Sequence, residues 1–169
     1  MLTISDVNEF SYEQFVDTFK NIIEKCPIAA GSIYEDRPFR SVSCLQASVR
    51  GFLKDLPYNA KIGLIRCNHD LVGKLATAGL LSKESTLEHR AAGLESLSTE
   101  EKAMMDKLNS KYKAKFGFPF VICSRKNDVS TILNGMEARL ERDKDSEIAT
   151  TLAEIENICW LRLSDIVKD

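Results

Sequence analysis

Apolar residues recur every three or four positions along almost the whole chain, and this helical period limits the possible folds more than any other feature. Ser11 and Ser98 each precede a Gln or Glu by three residues, a pattern that predicts the first turn of a helix. Strand-like sequence is confined to residues 118–123, where Pro119 cannot donate to a central ladder. The sequence therefore predicts an all-α fold with an extended connector at this segment.

Capping residues, prolines and glycines predict where the helices begin and end. Helices are expected over residues 11–26, 42–56, 59–65, 98–116, 128–140 and 145–166. Because no repeat or linker-like stretch divides the chain, we expect a single compact helical-bundle domain over residues 1–169. Residues 66–95 and 116–124 do not fit the helical period, and irregular backbone beside a rigid scaffold is a common place for a functional site.

The composition excludes several classes of partner. Lys and Arg number 23 against 25 Asp and Glu, so the chain lacks the basic surface that a nucleic-acid partner requires. No apolar run approaches the roughly 18 residues of a membrane-spanning helix, and the N-terminus has no signal-peptide pattern. Five cysteines without a C-x-x-C pair, together with two histidines, predict neither disulfides nor a metal site. We expect a soluble intracellular protein.

Arg162 lies on the apolar face of the last predicted helix, seven residues after Ile155 and four before Ile166. One interpretation is that its aliphatic stem follows the core while the guanidinium reaches water. The other is that the guanidinium binds an acidic side chain or an anionic ligand, because an unpaired buried charge is costly. The helical phase alone somewhat favours the first.

His69 and His89, the two histidines of the chain, lie 20 positions apart in the least regular segment, and His89 directly follows Glu88. An isolated His or Glu is usually a solvated surface residue. Their common location suggests a site instead, because an imidazole transfers protons readily near neutral pH. The pattern is suggestive of acid–base chemistry rather than specific for it.

Several short motifs follow one another along the chain in an order that is typical of one known family. They are Glu24-Lys-Cys-Pro27, Arg37-Pro-Phe39, Leu64-Ile-Arg-Cys67 with Asp70-Leu71 and Gly73, Glu84-Ser85 with Glu88 and Ala92-Gly93, Phe116-Gly-Phe-Pro-Phe-Val-Ile-Cys123 and Leu161-Arg-Leu163. Together they resemble the 2-oxo-4-hydroxy-4-carboxy-5-ureidoimidazoline (OHCU) decarboxylases, from about residue 5 to residue 167. The resemblance implies an all-helical carbon–carbon lyase (carboxy-lyase) that forms (S)-allantoin from OHCU in urate degradation. It also implies a homodimer that uses neither a metal nor an organic cofactor.

The resemblance also assigns roles to individual residues. Glu88 takes the position of the catalytic glutamate of the family, Ser85 that of a serine in contact with substrate, and Arg162 that of the arginine that grips the substrate. The backbone of residues 120–124 corresponds to the segment that hydrogen-bonds the ureido and imidazolone atoms. The expected substrate-binding set is His69, Ser85, Thr86, Leu87, Glu88, His89, Phe120, Val121, Ile122, Cys123, Ser124 and Arg162.

One departure from the family bears on catalysis. The family has His-Pro-Asp-Leu where this chain has Asn68-His69-Asp70-Leu71, so Asn68 replaces the catalytic histidine and His69 replaces the proline. His89 stands where the family has glutamine. Asn68 can form hydrogen bonds, but it cannot act as an acid or base near pH 7. Loss of a positioned acid or base typically costs about 10²–10⁴-fold in rate.

Three hypotheses follow from this departure. In the first, the protein is a working decarboxylase, with His69 as a catalytic residue or with His89 in its place. In the second, it is a catalytically impaired relative that binds the ligand or a partner without efficient turnover. In the third, it is a helical interaction module with a vestigial site. The retained Glu88 and Arg162 favour the first two, and the presence of both histidines favours the first.

The resemblance also bears on the compartment. Many family members are peroxisomal and end in an S-K-L type signal, whereas this sequence ends in Asp165-Ile-Val-Lys-Asp169. We therefore expect a cytoplasmic or peroxisomal protein, with the cytosol as the default.

Overall fold

A computed structural model describes residues 1–73 and 78–169, and these residues form helices joined by short connections. The helices are α1 (Ile4–Glu9), α2 (Tyr12–Phe19), α3 (Pro27–Tyr34), α4 (Val42–Asp55), α5 (Tyr58–Arg66), α6 (Lys83–Ala91), α7 (Thr99–Phe116), α8 (Val129–Leu140) and α9 (Lys144–Ile166). Short 3₁₀ turns occupy Leu94–Ser96 and Ser124–Lys126. The prediction of an all-α fold is confirmed. Within the described ranges, no helix is both long and apolar enough to cross a membrane.

The chain divides into two compact units. The first unit contains Met1–Lys61 and Ile155–Asp169, so both ends of the chain belong to it. The second unit is the continuous segment Ile62–Glu154. This second unit contains every residue of the expected site except Arg162.

The core of the first unit forms around α2, but α2 is shorter than predicted. Phe15 and Phe19 are buried with their ring centroids 4.7 Å apart, and Ile22 and Ile23 are buried beside them. The helix nevertheless ends at Phe19, and α3 begins at Pro27. The expectation of one helix over residues 11–26 is therefore wrong. Apolar residues in a buried turn can match the helical spacing by chance. The apolar pattern therefore could not distinguish one continuous helix from a shorter helix followed by a buried turn.

A short parallel ladder joins the two ends of the first unit. Strand β1 (Leu2–Thr3) pairs with β2 (Val167–Lys168), with Leu2 opposite Val167. Asp169 follows directly, and its side chain accepts a hydrogen bond from the Val42 N–H at the start of α4, at 2.6 Å. Sequence reasoning missed the ladder because two residues are too few to show strand alternation.

In the second unit, α7 begins and ends where the sequence predicts. The Ser98 hydroxyl accepts a hydrogen bond from the Glu101 N–H at 3.1 Å, and the Glu101 carboxylate accepts one from the Ser98 N–H at 2.8 Å. These reciprocal bonds satisfy backbone donors that the helix itself leaves free. At the other end, Gly117 has a φ of +80°, a left-handed conformation that glycine adopts without steric cost.

Replacement of Ser98 with alanine is expected to lower the free energy of unfolding by about 1 kcal/mol, because the Glu101 N–H loses its acceptor. The measurement is urea unfolding followed by circular dichroism at 222 nm. Thr99→Ala changes the neighbouring exposed residue and is the matched control, expected to leave stability unchanged or slightly raised. Equal unfolding midpoints for S98A and the unaltered protein would contradict the role of this cap.

Aromatic side chains anchor the segment that follows α7. Tyr112, Phe116, Phe118 and Phe120 are all buried, and the rings of Tyr112 and Phe120 meet edge to face with centroids 5.3 Å apart. The chain has no regular secondary structure from residue 119 to residue 123, which confirms the predicted extended connector. Because most side chains of the connector are held in the core, its backbone is fixed close to the expected site.

Candidate active site

Helix α6 carries the expected polar residues on its buried face. The Ser82 hydroxyl accepts a hydrogen bond from the Ser85 N–H at 3.1 Å and caps the helix. Ser85, Glu88 and His89 are then spaced three and four residues apart, and all three are buried. The interpretation of residues 66–95 as irregular is therefore wrong for the part that forms α6. Because the buried face of α6 is polar, it does not show the apolar period that marks a helix.

The other members of the predicted 85–89 set have different environments. Thr86 is half-buried, and its hydroxyl donates to the Ser82 carbonyl at 3.0 Å, so this group reinforces the first turn of α6. The Leu87 side chain is 53% exposed. The helix therefore buries polar groups on one side and presents Leu87 on the other.

The two histidines contact one another. His69 Nε2 lies 3.4 Å from His89 Nε2, and the ring centroids are 5.2 Å apart. A hydrogen bond between two imidazole nitrogens needs a donor on one ring and an acceptor on the other, so at least one ring is neutral in this arrangement. The pair can hold a proton on either ring and pass it across the contact, which is a property required of an acid–base group.

Each imidazole also lines a cleft in the second unit. His69 lies on the wall of a cleft of about 880 Å³, together with Asn68, Asp70 and Lys113. His89 lines a cleft of about 350 Å³. The contacting pair therefore contributes one ring to the lining of each cleft.

Asn68 is engaged with the helix that precedes it. Its side-chain amide donates to the Ile65 carbonyl at 3.1 Å and lies 3.5 Å from the Leu64 carbonyl, so it caps the end of α5. This amide satisfies backbone acceptors and supplies no titratable group. Of the two adjacent residues, only His69 brings an imidazole to the cleft.

Two contacts fix the loop that carries His69, and sequence reasoning missed both. Lys113 Nζ pairs with Asp70 Oδ2 at 2.6 Å, and the Asn109 amide donates to the Leu71 carbonyl at 2.9 Å. Asn109 is buried on the same face of α7 as Met105 and Tyr112. The sequence did contain a signal for the second contact. Asn109 stands at helical spacing among apolar residues, and a buried amide requires a hydrogen-bond partner.

Glu88 lies beside the end of the extended connector. It is 8% exposed, and its backbone carbonyl accepts a hydrogen bond from the Ser124 hydroxyl at 3.3 Å. Burial raises the pKa of the Cys123 thiol, and the negative charges of Glu154 and Glu88 raise this pKa further. The structure therefore brings Glu88, Cys123 and Ser124 of the expected site close together.

Arg162 belongs to the first unit, where it is buried and paired. Its Nη1 lies 2.6 Å from the Asn21 carbonyl oxygen and 3.1 Å from Glu24 Oε2. Only 4% of Arg162 is exposed, so the interpretation that its head reaches water is wrong. The interpretation that the guanidinium binds an acidic side chain is confirmed. That side chain is Glu24, which lies 138 positions earlier in the chain.

Comparison with known proteins agrees with this fold. A crystal structure described as (S)-allantoin synthase matches with a TM-score of 0.78 at 19% identity, covering 98% of this chain and 54% of that chain. This chain thus spans about half the length of that protein. A crystal structure of OHCU decarboxylase in the presence of (S)-allantoin matches with a TM-score of 0.72 at 17% identity, covering 89% of this chain and 96% of that one. The helical fold of this chain is therefore that of these two structures.

The sequence comparisons define the family. The OHCU decarboxylase family model matches residues 8–164. The 2-oxo-4-hydroxy-4-carboxy-5-ureidoimidazoline decarboxylase of Xenopus laevis is 42% identical over 165 residues, which cover 98% of this chain and 94% of the relative. This chain belongs to the OHCU decarboxylase family.

Proposed function

We propose that this protein catalyses the decarboxylation of OHCU to (S)-allantoin in urate degradation and is therefore a carbon–carbon lyase. The observation that carries the proposal is the match of the OHCU decarboxylase family over residues 8–164. The relative from Xenopus laevis, with similarity along nearly its full length, supports the same activity. The comparisons give no support to the alternatives of an impaired relative or an interaction module.

The reaction sets two requirements for the protein. When the bond to the carboxylate breaks, its electron pair moves into the ring and the adjacent ring imine nitrogen takes up a proton. The ring hydroxyl then loses a proton to become the carbonyl of the product, and the carbon that bears the ureido group gains one. Because that carbon becomes stereogenic, the proton must arrive on one face. The site must therefore orient the substrate and both accept and deliver protons.

Glu88 and His69 are the groups to which we assign these proton transfers. The Glu88 carboxylate is buried on α6, and His69 supplies the imidazole that Asn68 cannot. Contact with His89 Nε2 restricts the orientation of the His69 ring and offers it a proton donor or acceptor. The family resemblance further assigns Arg162, whose Nη1 atom is paired with Glu24, to the carboxylate of the substrate, since a guanidinium can bind a carboxylate in a fork of two hydrogen bonds.

The remaining substrate contacts are assigned to α6 and the extended connector. Ser85, Thr86, Leu87 and His89 contribute from the helix. Residues 120–124 contribute through backbone groups, because Phe120 and Val121 bury their side chains in the core. The resulting binding set combines fixed backbone donors and acceptors with one buried carboxylate and one imidazole pair.

Further parts of the proposal come from the family. The reaction needs neither a metal nor an organic cofactor, since the ring of the substrate accepts the electron pair itself. Residues 1–169 act as one OHCU decarboxylase-like domain in a homodimer. The compartment is the cytoplasm or the peroxisome.

The first test is circular dichroism of freshly generated OHCU with and without the protein. We expect optical activity to appear much faster than in the uncatalysed control, because protonation on one face yields (S)-allantoin alone. The uncatalysed reaction is the control, since OHCU also decarboxylates unaided. Racemic product formed at the uncatalysed rate would overturn the proposed function and favour the impaired relative, whose binding of (S)-allantoin would then be measured.

A further inference from the structure

Two charged side chains hold the connector on either side of Ile122. Arg139 Nη1, from α8, donates to the Val121 carbonyl at 2.9 Å. The Cys123 N–H donates to Glu154 Oε2, from α9, at 2.8 Å. Both contacts come from helices outside the connector, so each restricts the orientation of one peptide of the connector.

These contacts fix two successive peptide planes. A trans peptide is planar, and its C=O and N–H point in opposite directions. The Val121 carbonyl and the Ile122 N–H share one peptide, so a carbonyl directed at Arg139 turns the Ile122 N–H away from Arg139. The Ile122 carbonyl and the Cys123 N–H share the next peptide, so an N–H directed at Glu154 turns the Ile122 carbonyl away from Glu154.

The polar groups of Ile122 are thereby left for another partner. In the part of the chain that the structure describes, no residue forms a hydrogen bond with the Ile122 N–H or with the Ile122 carbonyl. A backbone donor and acceptor on one residue complement a cyclic ureide, which offers N–H and C=O groups side by side. We infer that Glu154 is a positioning residue, which with Arg139 holds the connector so that Ile122 presents its N–H and C=O to the ureide substrate. This inference rests on the proposed function.

Glu154 is the member of the pair that allows a clean test. Arg139 is almost fully buried against Glu147, so its replacement would disturb the core. Glu154 is half-buried, and its Oε2 atom contacts a backbone N–H. Glu154→Ala removes the acceptor, whereas Glu154→Gln keeps an acceptor oxygen and removes only the charge. Glu156 lies on the same helix and pairs with Arg50 at 2.6 Å in an exposed salt bridge, which makes Glu156→Ala the matched control.

Steady-state kinetics with OHCU and equilibrium binding of (S)-allantoin are measured for each variant. We expect E154A to raise both KM and the Kd for (S)-allantoin about tenfold while kcat changes by less than about threefold, because the backbone contacts bind substrate and transition state alike. E154Q is expected to remain within about twofold of the unaltered protein, as is E156A. Should E154A fail to fold, E154D takes its place, since the shorter side chain withdraws the carboxylate from the Cys123 N–H.

The outcomes separate the two proposals. An active parent protein whose KM and Kd are unchanged in E154A would overturn the role of Glu154 and leave the proposed function intact. Equal losses in E154A and E154Q would also overturn it, because charge rather than positioning would then matter. If the parent protein neither turns over OHCU nor binds (S)-allantoin, the proposed function fails, and the role of Glu154 fails with it.

Discussion

Replacement of His69 with alanine is expected to lower kcat for OHCU decarboxylation by about 10²–10⁴-fold, the usual cost of removing a positioned acid or base. Asn68 cannot compensate, because its amide is bound to the Ile65 carbonyl at the end of α5 and carries no titratable proton. The measurement is the initial rate of (S)-allantoin formation by circular dichroism. We also expect part of the remaining product to be racemic, because uncatalysed decarboxylation then competes.

Two companion variants distinguish the imidazoles. His89→Gln restores the residue of the family and keeps a side chain that can hydrogen-bond His69, so its kcat should fall by no more than about tenfold. Asn68→His in the H69A background returns the histidine to its family position and should recover at least about tenfold of the lost rate. Full activity in H69A together with loss of activity in H89Q would assign the catalytic imidazole to His89 instead.

Local signals in the sequence were sufficient for several helix boundaries. The caps at Ser11, Ser98 and Asp128 are confirmed, because a capping residue and its N–H partner lie only three positions apart. Helix α4 likewise runs over almost all of its predicted range. Helix α6 was missed because its buried face consists of Ser85, Glu88 and His89, and apolar periodicity cannot reveal a polar face.

Contacts between distant positions could not be derived from the sequence. The helical phase placed Arg162 on a buried face. Its carboxylate partner Glu24, however, lies 138 positions away, and from the sequence several other acidic residues could equally have paired with the guanidinium. The same holds for His69 and His89. Their contact depends on the path of the chain between α5 and α6, which local patterns do not specify. The resemblance indicated which residues to expect at the site, but the contacts of those residues could be read only from the fold.

Replacement of Glu147 with alanine is expected to lower the free energy of unfolding by about 3–5 kcal/mol, because it leaves a buried arginine without its counter-ion. Glu147 is fully buried, and its Oε1 accepts hydrogen bonds from Arg139 Nε at 2.7 Å and from the Tyr112 hydroxyl. Burial and this carboxylate raise the pKa of Tyr112, so the phenol remains a donor at neutral pH. The measurement is urea unfolding at 222 nm, and Glu137→Ala on the exposed side of α8 is the control, expected to change stability by less than about 0.5 kcal/mol.

A double replacement separates the two functions of Arg139. Arg139→Met with Glu147→Leu removes both charges, and a buried ion pair can often be exchanged for apolar residues with little net loss. The Val121 carbonyl, however, loses its donor at 2.9 Å, so we expect about 1–3 kcal/mol of destabilisation to remain. The same loss frees the peptide between Val121 and Ile122, and KM for OHCU should therefore rise even in a stably folded double variant. Recovered stability with an unchanged KM would show that the network supports the core alone and that the connector keeps its geometry without Arg139.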